Sequence, residues 1–295
     1  MNTIKSVGLV GLAITALFAG QAFATPCPTA PATGIQTQGA PVCIAPYGQD
    51  GPGTGLVNIL AAPGSPNHNS HSIVTSGPSY NPYTQQVVPS AFWSMGATGA
   101  SENKIVLEIA GNANNNSFGI FDPSNPSNYL QLFSGPAGAG WHTTLINLGN
   151  GNYTAAYFNA SGNFMGQTSA HFGVTNLFGY YLSTDNGAPT FFSDAKMNQP
   201  GGNTYPNGMP HMVAYEGNNK TTLKTGNTSG TFLSNEWLLA WEDQAFGNSD
   251  LDYNDFIVLV ESVHPVPEPA VLGMFGLGVL LIGGFAAMRR RSLKA

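Results

Sequence analysis

The sequence predicts an all-β protein: an antiparallel β-sandwich ectodomain between an N-terminal signal peptide and a C-terminal transmembrane helix. Three observations predict it. Short apolar-alternating runs recur between Asn-, Gly- and Pro-rich turns along the middle of the chain. No stretch of that middle shows a helical period over twelve residues. Both ends carry an uncharged apolar segment.

Residues 1–24 read as a signal peptide. Lys5 supplies a short basic region, Val7–Gly20 an apolar stretch, and Ala22-Phe23-Ala24 a small-x-small cleavage site. No lipobox precedes Cys27, so a lipoprotein is not expected. Residues 25–55, rich in Pro, Gly, Thr and Gln, read as an irregular leader. The chain's two cysteines, Cys27 and Cys43, both fall in it. In an exported chain they are expected to form a disulfide, worth roughly 3 kcal/mol for a loop of about 17 residues in the chain-entropy model.

Residues 56–167 read as a β-rich region, with strands expected at Leu56–Leu60, Gln86–Met95, Lys104–Ala110, Tyr129–Phe133 and Tyr153–Phe158. A seam is placed near Thr168. Residues 168–263 read as a β-sandwich domain with an acidic loop, beginning with a run over Phe172–Leu182. The sequence does not separate two domains from one elaborated sandwich.

Charge is sparse. Between residues 25 and 266 there are four lysines, no arginine and fourteen carboxylates, a net of −10. Such a surface excludes nucleic acid as a partner, because that binding needs Lys and Arg against phosphates. It suits divalent cations.

Seven of the chain's fifteen acidic residues lie between Glu236 and Glu261. Trp237-Leu238-Leu239-Ala240-Trp241 precedes the densest part and Phe256-Ile257-Val258-Leu259-Val260 follows it, so the segment reads as two strands joined by a carboxylate-rich loop. In a hairpin, Glu242 and Asp243 would meet Asp252, Asn254 and Asp255, with Asp250 nearby. Crowded carboxylates repel without a cation, and hard oxygen donors at this density suit Ca²⁺. Asp250-x-Asp252-x-Asn254, with Glu261 at the twelfth place, copies part of an EF-hand loop. Asp255 stands where that loop needs glycine, and a strand from Phe256 would carry Glu261 about 20 Å away, so an EF-hand is not expected. Solvated turn residues are the other reading of the same loop, since Asp and Asn favour turns for backbone reasons.

The C-terminus has three parts in order. Val266-Pro267-Glu268-Pro269 is followed by Ala270–Met288 without a charge, then by Arg289, Arg290 and Arg291. Nineteen helical residues span about 28 Å, a bilayer's hydrocarbon core, and the arginines are expected to stay cytoplasmic. Residues 266–295 thus resemble the PEP-CTERM sorting signal of Gram-negative bacteria. The resemblance implies recognition and cleavage near Pro267-Glu268-Pro269 by an exosortase-type membrane protease. It also implies an inner-membrane-tethered precursor and a destination at the cell surface or in the extracellular matrix.

Trp241-Glu242-Asp243 with Ser249-Asp250-x-Asp252-Tyr253-Asn254-Asp255 resembles a domain-of-unknown-function family common in PEP-CTERM proteins. Phe178–Leu182, Thr190–Asp194 and His211–Tyr215 resemble that family's strands. This likeness runs roughly from Thr168 to Glu261 and implies an extracellular β domain without assigning an activity.

Other candidates are weaker. His68 and His71 lack a third zinc ligand nearby in sequence. Glu102 and Glu108 are not placed as a glycosidase pair by anything in the sequence. Trp93, Trp141, Trp237 and Trp241 suit a core better than a sugar platform. No nucleophile elbow, zincin or phosphate-loop motif occurs. The expectation is therefore a non-catalytic exported surface or matrix protein, calcium-stabilised. A carbohydrate-binding module for exopolysaccharide is the alternative, and a secreted hydrolase stands third.

Overall fold

The computed structural model describes residues 42–45, 50–88, 90–95, 99–109, 114–173, 176–185, 187–201, 205–245 and 247–266. The signal peptide, Cys27, Pro267-Glu268-Pro269, helix 270–288 and the three arginines lie outside them. Among the described residues, no helix is long and apolar enough to cross a membrane.

The fold is all-β with antiparallel sheets. In chain order the elements are α1 (Leu56–Ile59), β1 (Val74–Ser76), β2 (Phe92–Met95), β3 (Ala100–Glu108), β4 (Ser117–Asp122) and β5 (Asn125–Phe133). Then come β6 (His142–Gly149), β7 (Asn152–Phe158), β8 (Phe164–His171), β9 (Gly179–Ser183) and β10 (Phe191–Phe192). The last are β11 (Met212–Glu216), β12 (Thr222–Thr225), β13 (Thr228–Thr231), β14 (Glu236–Trp241), β15 (Phe256–Glu261) and β16 (Val263–Val266). The largest sheet runs β11-β14-β15-β3-β6-β7-β8, and a second runs β10-β9-β4-β5. Smaller sheets are β1-β12-β13 and β16-β2.

The seven-stranded sheet is covered on one face by β10-β9-β4-β5 and β2. Between them lies an aromatic core containing Trp93, Phe118, Tyr153, Phe178, Tyr180, Trp237, Trp241 and Phe256. Phe118 sits at its centre, stacked on Tyr180 at 5.3 Å and edge-on to Trp241 at 5.9 Å. On its other face, β11, β14 and β15 pack against α1, β1 and β12 through Leu56, Ile59, Leu223, Leu238, Ala240 and Ile257. Central strands buried on both faces read as continuous apolar runs instead of alternating ones. This accounts for Trp237–Trp241 and Phe256–Val260.

Several expectations change. Leu56–Leu60 is not a strand: Leu56–Ile59 is a single helical turn with Leu56 and Ile59 buried. An apolar run this short carries no period that separates the two. Only Phe92–Met95 of the expected Gln86–Met95 strand is strand, with Gln86 in an isolated bridge to Tyr215. Of Phe172–Leu182, strand begins at Gly179. The seam at Thr168 falls inside β8, which pairs with β7 along its length. Strands from both sides of the seam share the seven-stranded sheet, because β15 pairs with β3. The end of the leader is not loose: Ile44 and Ala45 are buried in the second core.

Candidate metal centre

The acidic residues sit at the tip of the β14–β15 hairpin. The last pair of that ladder is Trp241 with Phe256, so Glu242 and Asp243 leave one strand beside Asp255 at the start of the other. The Asp243 N–H donates to Asp255 Oδ2 at 2.7 Å. The Glu242 N–H donates to the His211 carbonyl at 3.0 Å, which continues the edge of β11 into the tip.

The loop between the strands is anchored by its alternate residues. Leu251 and Tyr253 take φ of 60° and 57°, a left-handed conformation that costs such residues about 1–2 kcal/mol each. Both are buried in the second core, and the Tyr253 hydroxyl donates to the Pro210 carbonyl at 2.8 Å. Fixing these two side chains inward leaves Asp250, Asp252 and Asn254 together on the other side. Asp252 accepts from the Asn254 backbone N–H at 3.1 Å and from Asn254 Nδ2.

The leader closes over this loop. The Ala45 N–H donates to the Leu251 carbonyl at 2.8 Å. A glycine-rich turn then brings Asp50 in, and Gly53 in that turn has φ of +85° with Asn69 Nδ2 2.5 Å from where a Cβ would stand. Asp50, Asp250 and Asp252 each offer a carboxylate oxygen, all within 4.8 Å of one another. Asp252 and Asn254 are fully buried, Asp250 is half-buried and Asp50 is exposed.

Electrostatics make this arrangement costly by itself. Burial first, then Asp255, Asp250 and Asp252, push the Glu242 carboxyl well above its usual range, while Ser249 lowers it slightly. Burial first, then Asp243, does the same to Asp255. Asp252 is pushed up to about 8 by burial and by Asp250. Asp50 is raised by burial and by Asp250. No lysine or arginine is among the groups acting on any of these four. Two carboxylates 4 Å apart repel by about 4 kcal/mol at an effective dielectric of 20. Hard oxygen donors on hydrogen-bonded turns, with that repulsion to relieve, have the chemistry of a Ca²⁺ site.

All six residues read as metal ligands lie at the hairpin tip, but of these the group with carboxylate oxygens within 4.8 Å of one another holds Asp250 and Asp252, joined by Asp50. That residue is the single charge between residues 25 and 101, which is the signal that could have drawn attention to it. Glu261 pairs with Glu236 at the far end of β15, away from the loop. His68 and His71 are exposed, and no metal-type cluster of the described residues includes them. Glu102 and Glu108 stand near opposite ends of β3, with Glu102 3.4 Å from Lys104 Nζ. Trp93, Trp237 and Trp241 are core residues and Trp141 packs against the core half-buried. Cys43 is buried and disulfide-bonded, while Cys27 lies outside the described residues.

Comparison with known proteins extends the picture beyond the hairpin. Residues 165–263 match a domain of unknown function, DUF4114, and residues 265–291 match the PEP-CTERM protein-sorting motif. The first match begins close to the expected seam at Thr168 and ends within β16; the second begins at Pro265, also in β16. No curated protein and no solved structure matches the chain. The sorting motif makes this an exported protein, membrane-associated before an exosortase processes it. The chain thus carries a PEP-CTERM protein-sorting motif directly after a segment similar to DUF4114.

Proposed function

We propose that the mature chain is a non-catalytic cell-surface or extracellular-matrix protein whose β domain is held together by calcium at the hairpin tip. The observation that carries this reading is the convergence of Asp50, Asp250 and Asp252 within 4.8 Å. The ion would tie the N-terminal leader to a hairpin two hundred residues later, in a compartment where millimolar calcium is a normal ligand for extracellular modules. The test is calorimetric titration of calcium into the purified protein, with melting followed in calcium and in chelator. Heat of binding and a higher melting temperature in calcium support the site. Identical melting in both conditions sinks it.

A second reading is retention of exopolysaccharide, favoured by one surface feature. On the face of the large sheet left open beyond β3, His142 stacks on Phe158 at 4.9 Å and Phe158 meets Phe164 edge-on at 5.7 Å. Phe164 is 60% exposed. Aromatic faces of this kind suit sugar rings, whereas three of the four tryptophans are buried. Retention of the protein on the producer's own polysaccharide, lost in Phe164→Ala and indifferent to chelator, would favour this reading over the first.

A further inference from the structure

Residues 123–184 contain no Asp, Glu, Lys or Arg, although the chain between residues 25 and 266 carries a net charge of −10. That neutral stretch supplies β6, β7 and β8, one flank of the seven-stranded sheet. The nearest charged residues of the sheet, Glu102, Lys104 and Glu108, stand on β3, three strands in from β8 and about 14 Å from it. Physiological salt screens charge over about 8 Å. Leu148, Phe164 and Met165 are exposed on this flank.

The two edges of the sheet differ. At β11 the Val87 N–H donates to the Ala214 carbonyl and Gln86 bridges Tyr215, so the segment before β2 covers that edge. At β8 no strand of the described residues covers the outer edge. The Phe172 N–H donates to the Gly151 carbonyl at 2.8 Å. Hydrogen-bonded and non-bonded pairs alternate along an antiparallel ladder. The register of Ala170 with Tyr153, Ser169 with Thr154 and Thr168 with Ala155 therefore turns the backbone groups of Thr168 and Ala170 towards β7. Those of Gln167 and Ser169 point away from it. Thr154 Oγ1 and Ser169 Oγ are 2.8 Å apart, in keeping with a non-bonded pair, where side chains stand closer. Sheet edges are normally guarded by charge, proline or a bulge. β8 has neither charge nor proline, and its bulge, opposite Tyr157–Phe158 with Gly166 at φ +137°, spares Gln167–Ala170. The free edge ends at His171, whose carbonyl accepts from Asn128 Nδ2.

We propose that β8 is a self-association edge, at which a second copy of this chain pairs antiparallel about a two-fold axis at Thr168. In that register Gln167 and the partner's Ser169 exchange both N–H···O=C bonds, the symmetric pair does the same, and the two seven-stranded sheets join into one. A second copy is the occupant because a two-fold axis makes one antiparallel edge complementary to itself. This neutral flank is also where two chains of net −10 meet with least repulsion. The covered β11 edge bars head-to-tail growth through the sheet, so association stops at the dimer.

The experiment uses the full-length chain in detergent. Sedimentation across a concentration series should show a dimer for wild type that Gln167→Lys and Ser169→Pro both lose. The Ser169 N–H points away from β7, so proline removes it without breaking the ladder. Melting temperatures check that the variants are folded, and Gln167→Lys decides alone if the proline variant is not. Thr168→Cys sets two thiols opposite each other on the axis, with about 4.5 Å between Cα atoms, within disulfide range. Oxidation should link that variant into a dimer that reductant releases, whereas Thr231→Cys, on exposed β13, should stay unlinked. A wild-type monomer throughout the series overturns the proposal. So does a dimer that Gln167→Lys keeps, or one that links no better through Thr168→Cys than through Thr231→Cys, since the contact then lies elsewhere, residues 270–288 included.

Discussion

Asn254 Nδ2 donates to the Thr54 carbonyl oxygen at 3.1 Å, joining the acidic loop to the end of the leader across two hundred residues of chain. The same amide nitrogen reaches Asp252, so one fully buried side chain orders both the loop and the segment that delivers Asp50. Asn254→Ala should therefore act at two levels. Stability in chelator should fall by about 1–3 kcal/mol, the cost of leaving a buried carbonyl and a buried carboxylate short of a donor. Calcium affinity should also fall, because Asp50 is no longer held. Urea denaturation in chelator reads the first effect and calorimetry the second. An unchanged denaturation midpoint would show that the tie carries no weight.

Asp252→Asn separates the ion from the fold. The carboxyl it replaces is raised to about 8 by burial and by Asp250, so in chelator the neutral amide should cost little or even stabilise. Calcium at a hundredfold excess over Kd should stabilise wild type by about 2.7 kcal/mol. That is a rise in Tm of roughly 5–10 °C for a domain of this size. The variant should lose most of that rise. If it keeps the whole of it, Asp252 is not a ligand.

The hairpin was legible in the sequence because everything that builds it is local. Two apolar strands flank the carboxylates, and pairing of neighbouring strands at Trp241 and Phe256 is enough to bring Glu242, Asp243 and Asp255 together. Asp50 was not legible as part of it. It reaches the tip through the tertiary bond between Thr54 and Asn254, and no spacing rule encodes such a contact. β8 escaped notice for a different reason. It is an edge strand with little burial, so Phe164–His171 shows none of the alternation that marks a half-buried strand. The β12–β13 hairpin is hidden the same way, since Thr228–Thr231 is exposed throughout.

Asp122 should govern part of the acid limb of stability. Burial would raise its carboxyl, but the Ser124 hydroxyl and N–H, the Gly173 N–H and Asn128 outweigh burial and hold it below the usual range. An acid depressed in the folded state stabilises above its unfolded pKa, about 3.9, and loses that contribution as pH falls through the folded value. Asp122→Asn should cost about 1–2 kcal/mol at pH 7, at the lower end for charged hydrogen bonds because the site lies close under the surface. It should differ less from wild type near pH 2. Urea denaturation at the two pH values checks this, and an equal loss at both would rule out the ionised carboxylate as the cause.

Processing of the tail should spare β16. The match to the sorting motif begins at Pro265, and Pro265 and Val266 are already paired with Trp93 and Phe92 in the two-stranded sheet. Val263 at the start of β16 is fully buried, and His264 meets Trp237 edge-on at 5.5 Å. Cleavage before Val263 would strip this strand and open the core around Trp93, whereas cleavage after Val266 leaves the ladder whole. The mature protein in its native host should therefore end after Val266 and lack Leu272–Ala295. Mass spectrometry of surface fractions measures that C-terminus directly. Recovery of full-length chain alone would show that the tail is a lasting anchor. A terminus upstream of Val263 would show that the fold does not limit the cut.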